Sequence, residues 1–99
     1  MQQATQRASD YFKRVTVTSS NFADCLLAWG FTSQGISLLN EASSGTVVEY
    51  SFNGTDLCGD LDPSEATTGL IFDNRGRDRV FLRLKSGTSA SVRVETWAE

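Results

Sequence analysis

Apolar and polar residues alternate with period two over most of this chain, the signature of strands with one face buried. From Tyr11, Lys13, Val15 and Val17 fall on one side while Phe12, Arg14, Thr16 and Thr18 fall on the other, and β-branched residues are frequent. Ser19-Ser20-Asn21 breaks this strand. Asn21 is able to cap a helical turn, but the short apolar run Cys25-Leu26-Leu27-Ala28-Trp29 reads better as a loop leading into a buried strand. Phe31 to Gly35 is predicted as a turn or edge segment, Ile36 to Asn40 as the next strand, and Ala42-Ser43-Ser44-Gly45 as its loop.

Thr46 to Phe52 forms a clear strand, with Val48, Tyr50 and Phe52 on one face and Val47, Glu49 and Ser51 on the other. Asn53-Gly54 follows it, and both central positions of a type I′ hairpin turn need positive φ, which these residues tolerate. A short return strand is expected from Thr55, then a polar loop over Asp60 to Thr68 carrying the chain's one proline, Pro63. Gly69-Leu70-Ile71-Phe72 is a compact apolar strand and Asp73 to Asp78 its turn. Val80, Leu82 and Leu84 then alternate with Phe81, Arg83 and Lys85, Ser86-Gly87-Thr88 turns, and Val92, Val94 and Thr96 alternate with Arg93, Glu95 and Trp97. Short strands with frequent turn signals predict an all-β fold, an antiparallel β-sandwich with a small barrel as the alternative. Residues 1–10 are polar and aperiodic, so they read as an extended N-terminal arm ahead of a single domain over 11–99.

Composition narrows the function more than the fold. The 99 residues suit one core. No apolar run approaches the length of a membrane-spanning helix, and the polar start lacks the apolar segment of a secretory signal. Synthesis and folding in a cytoplasm are expected. A formal charge of −3 gives no positive field for a phosphate backbone, so no nucleic acid is expected as a partner. With no histidine, the chain lacks the commonest general base and metal ligand. Cys25 and Cys58 are too far apart for a redox or zinc motif and are read as reduced thiols in or near the core. A single disulfide between them is the alternative in an oxidising environment.

Asp56, Asp60, Asp62 and Glu65 gather around Gly59, but their spacing does not follow a calcium-loop template, and a solvated loop explains them. Asn53-Gly54-Thr55 matches a glycosylation acceptor, yet the turn accounts for the same residues. Glu49 and Glu95 are carboxylates without a spacing that supports glycosidase chemistry, and no nucleophile elbow, phosphate loop or zincin motif occurs. A non-enzyme without cofactor or metal is expected. Arg75, Arg77, Arg79 and Arg83 interleave with Asp73, Asp78 and Phe81; arginine forks suit carboxylates across a protein interface, and pairing with their own neighbours in a solvated turn is the alternative. Trp97 lies on the same side of the last strand as the polar Arg93 and Glu95, where either a partner covers it or it caps the domain end. Arg75, Arg77, Arg79 and Trp97, with Tyr11 where the arm meets the first strand, are therefore the candidate partner-contact residues.

Glu49-Tyr50-Ser51-Phe52-Asn53-Gly54-Thr55, Gly69-Leu70-Ile71-Phe72-Asp73-Asn74-Arg75 and Ser91-Val92-Arg93-Val94-Glu95-Thr96-Trp97 together resemble the small all-β structural proteins of tailed bacteriophage virions. The resemblance covers about the last half of the chain and carries no catalytic signature. It implies a virion component that binds the major capsid or tail and neck proteins, most plausibly as a capsid decoration or cement protein and homo-oligomer. A tail, neck or fibre component is the nearest alternative, and a carbohydrate- or receptor-binding β module a further one. Free sheet edges and a polar arm are what such assembly needs.

Overall fold

The computed structural model describes residues 9–63 and 70–98, and the side chains of these except at positions 9, 42 and 70–75. The described residues form six strands: β1 (Ser9–Val17), β2 (Leu26–Asn40), β3 (Val48–Ser51), β4 (Gly59–Leu61), β5 (Leu70–Leu84) and β6 (Ala90–Ala98). One-turn 3₁₀ segments at Phe22–Asp24 and Ala42–Ser44 flank β2. All pairings are antiparallel, in the order β1-β6-β2-β5-β3-β4, so the fold is all-β and the sheet is open with β1 and β4 as its edges.

Two strands are far longer than the hydrophobic pattern predicts. Phe31 to Gly35 is not a turn but the middle of the 15-residue β2, and Asp73 to Asp78 is likewise the middle of the 15-residue β5. Their shared ladder is irregular there: from the pair Ala28/Arg79 to the pair Gly35/Asp73, β2 advances seven residues and β5 six. The register shifts twice, on either side of the pair Ser33/Arg77, and the net one-residue excess of this bulged stretch reverses which side chains of β2 point inward. Leu27 and Trp29 are buried before Ser33, which is itself buried, and Ile36, Leu38 and Asn40 after it. Gly30 supplies a φ of +78° at the start of the irregular stretch, a value that favours glycine. Where ladder bonds lapse, side chains substitute for them. The Arg77 carbonyl accepts bonds from Trp29 Nε1 at 3.1 Å and Ser33 Oγ at 3.0 Å.

The bend gives the sheet two layers. β1, β6, the second half of β2 and the first half of β5 form one; the first half of β2, the second half of β5, β3 and β4 form the other. Between them lies a single hydrophobic cluster that includes Val17, Ile36, Leu38, Val92 and Val94 from the first layer and Leu27, Val48, Tyr50, Leu61 and Leu82 from the second. Asn40 clasps the layers together. It pairs with Val92 in β6, yet its Nδ2 donates at 2.8 Å to the Leu61 carbonyl of β4, three places away in the strand order.

The β3–β4 hairpin differs from the expected two-residue turn. Pairing ends at Tyr50/Gly59, and a loop replaces the type I′ geometry. Asn53 Oδ1 accepts from the backbone N–H groups of Thr55 and Asp56, both at 2.8 Å, so its side chain organises an Asx turn instead. Both cysteines are free thiols, but only Cys25 is near the core; Cys58 is exposed in this loop. Of the predicted arm, 1–10, Ser9 and Asp10 belong to β1, and the rest lies outside the described residues.

Candidate protein-contact face

β1 and β6 pair in unbroken register, which sets Arg14 directly opposite Arg93. Two guanidinium groups on neighbouring strands repel unless an anion is placed between them. Glu41 does this. It follows the last residue of β2, and its backbone N–H donates to the Ser91 carbonyl at 2.9 Å. Ser44 Oγ in the adjoining 3₁₀ turn accepts from Ser91 N–H at 2.8 Å, so the segment is fastened to β6 by one backbone and one side-chain bond. The Glu41 carboxylate then receives Arg14 Nη2 on Oε1 and Arg93 Nε on Oε2, each at 2.7 Å. These bonds from Arg14 and Arg93 hold its carboxyl at about 2, against the opposing effect of burial.

Glu41 is buried, whereas the Arg14 and Arg93 side chains are 63% and 51% exposed. The carboxylate therefore pins one end of each guanidinium and leaves further N–H donors facing solvent. Phe12, on the same face of β1 as Arg14, is 62% exposed and lies opposite Glu95. Trp97 completes the face. It pairs with Gly35, and a Cβ at that position would overlap Cε2, Cζ2 and Nε1 of its indole, so the ring lies flat across the glycine backbone. The outer face of the β1-β6-β2 layer thus presents an aromatic residue, a preorganised arginine pair and a half-buried tryptophan.

The predicted contact residues do not form one cluster with it. Tyr11 points to the opposite side of β1 from Phe12, where its ring sits 5.7 Å from that of Trp29. Arg77 is half-buried: its guanidinium stands 4.5 Å above the Phe52 ring, and its Nε is buried without a hydrogen-bond partner. Arg79 is exposed and pairs with the adjacent Asp78 at 3.1 Å, which lowers the Asp78 pKa. Arg75 lies in β5 with its side chain outside the described residues. Arg83 is tied to Glu49 at 2.6 Å and stacks on Phe22 at 4.0 Å. In the acidic loop, Asp60 pairs with Lys85 at 3.1 Å and Asp56 accepts from Asn53 Nδ2 at 2.9 Å.

Sequence reasoning missed Phe12, Arg14 and Glu41 as a unit. Period two does place Phe12 and Arg14 on one face, but the link to Glu41 depends on strand order, which alternation does not encode.

No protein-family model and no curated protein matches this chain. Among solved structures, the Fe(II) form of HppE is similar over 90% of this chain and 44% of its own, with a TM-score of 0.54 and 14% identity. This chain therefore spans less than half the length of that protein. The core of a Drosophila NLP, described in terms of pentamer formation and histone binding, aligns over 87% of this chain and 95% of its own at 17% identity. Its TM-score of 0.35 is too low to carry an argument. The iron named for HppE belongs to that protein: this chain has no histidine, and no three Cys, Asp or Glu side chains converge among the described residues. What the HppE likeness does show is the fold, a bent antiparallel β domain.

Proposed function

We propose that the chain is a non-enzymatic structural protein of a bacteriophage particle, a capsid decoration or cement protein that stabilises the shell through protein–protein contacts. It is made in the host cytoplasm and resides in the virion, bound to the major capsid protein and to copies of itself. The observation that carries this reading is β1. Among the described residues, the nine of β1 lie at a sheet edge and pair on one side only, with no bulge in the register and with Phe12 exposed beside them. Long regular edges are ordinarily shortened, bulged or covered, and one left open suits strand addition by a partner. The Arg14–Glu41–Arg93 arrangement supports the same use, because the two arginines are already oriented for carboxylates on another protein. Arg79 adds exposed contact area and the half-buried Trp97 an aromatic edge, while Tyr11 and Arg77 act through Trp29 and Phe52.

Mass spectrometry of density-purified particles from the virus encoding the chain tests the reading, with capsids and tails separated before digestion. Peptides at high copy number in the capsid fraction are expected. Recovery in the tail fraction alone would replace the decoration role by a tail, neck or fibre role, and absence from both fractions would overturn the proposal.

A further inference from the structure

We infer that β1 is a homodimer edge: two copies of this chain pair antiparallel through Ser9–Val15, about a two-fold axis perpendicular to the sheet that passes through Phe12. This rests on the reading of β1 as a contact edge and names the partner as a second copy.

The symmetry restricts the choices. An axis perpendicular to the sheet must pass through one residue of β1, and every residue meets a partner on the same face. Only axes at Phe12, Lys13 or Arg14 allow seven or more of the residues Ser9–Val17 to overlap. An axis at Lys13 sets two ammonium groups opposite each other, and one at Arg14 sets two guanidinium groups opposite each other. Like charges directly opposed are unfavourable. An axis at Phe12 has neither conflict. Asp10 of each copy meets Arg14 of the other, on the outer face and twice by symmetry, while the two exposed Phe12 rings meet at the centre.

Lys13 favours the same register. It alternates with Tyr11 and Val15 on the inward side of β1 yet is exposed, a placement that discourages indiscriminate pairing of an edge strand. In the Phe12 register it meets Tyr11 of the other copy, whose ring face accepts a cation. Arg14 keeps its bond to Glu41 and offers its remaining donors to Asp10. The dimer is a continuous sheet in which both copies of the face built around Arg14, Arg93 and Trp97 lie on the same side, available to a shell.

Site-specific cross-linking tests this in the full chain carrying Cys58→Ser, which removes the exposed thiol. Phe12→Cys is expected to give a disulfide-linked dimer under mild oxidation, mapped as a 12–12 bridge, because residues at the axis face themselves across adjacent strands. Lys13→Cys and Arg14→Cys are expected to link at least tenfold more slowly. In sedimentation velocity the unmodified chain should run as a dimer, and Phe12→Lys should weaken its dimerisation at least tenfold with an unchanged thermal midpoint. A monomer at all concentrations, preferential linkage at 13 or 14, or a folded Phe12→Lys variant that dimerises as the parent does would each overturn the inference. Virion residence and dimerisation separate cleanly. A chain found in capsids that fails to link at 12 removes the dimer alone, and a linked dimer absent from particles removes the virion role alone.

Discussion

Glu41 carries out two tasks with one carboxylate: it relieves the opposition of Arg14 and Arg93 and it fixes the orientation of both guanidinium groups. Its folded pKa of about 2 lies below the ordinary 4.5, so its stabilising contribution is complete above about pH 4.5 and is lost as pH falls toward 2. Thermal midpoints measured from pH 7 to pH 2 should therefore show an acid limb between those values, and Glu41→Gln should make that limb shallower while lowering the plateau at neutral pH. An unchanged limb would mean that other carboxylates dominate acid unfolding. The thiols differ at the same scale. Burial pushes the Cys25 pKa up, whereas Cys58 is exposed. Iodoacetamide at pH 8 should consequently alkylate Cys58 at least tenfold faster than Cys25 in the native chain, as read by peptide mass spectrometry, and comparable rates would show that the Cys25 environment opens readily.

At the scale of elements, the sequence announces strands more reliably than their lengths. The alternation in β1 and β6 translates directly into structure, down to the inward Val92, Val94 and Thr96. β2 and β5 were not legible as single strands because their central residues are polar or glycine, which usually marks a turn. In β2 those residues meet local needs: Ser33 is buried against the Arg77 carbonyl, Gly30 supplies positive φ, and Gly35 makes room for an indole. The bulge also switches the inward parity of β2, so alternation fails across it. The contact face was half legible for a similar reason. Trp97 and Arg93 share a visible face of one strand, but Glu41 reaches them from the end of another. Gly35→Ala forces the Trp97 ring off the β2 backbone and should cost about 1–3 kcal/mol in urea unfolding, with a red shift in tryptophan emission. Wild-type stability in that variant would show that the ring moves aside freely.

For the whole molecule, the long strands matter because they belong to both layers. A mutation in either layer acts on one hydrophobic cluster, so unfolding should be a single transition with coincident far-UV and near-UV circular dichroism. Leu82→Ala, at a fully buried position of the second layer, should lower stability by about 2–5 kcal/mol and shift both signals together. Separate transitions would indicate that the layers melt independently. The pairing of β1 with β6 has a further consequence in time. The first and last strands of the described fold are hydrogen-bonded neighbours, so β1 has no ladder until Ala90–Ala98 has been synthesised. Contacts of such large sequence separation close late, after the loop entropy between them has been met. An edge built this way is withheld from chains truncated before β6: on the reading of β1 proposed above, a polypeptide without Ala90–Ala98 has no ordered edge to offer a partner, and synthesis of that strand becomes a checkpoint for assembly.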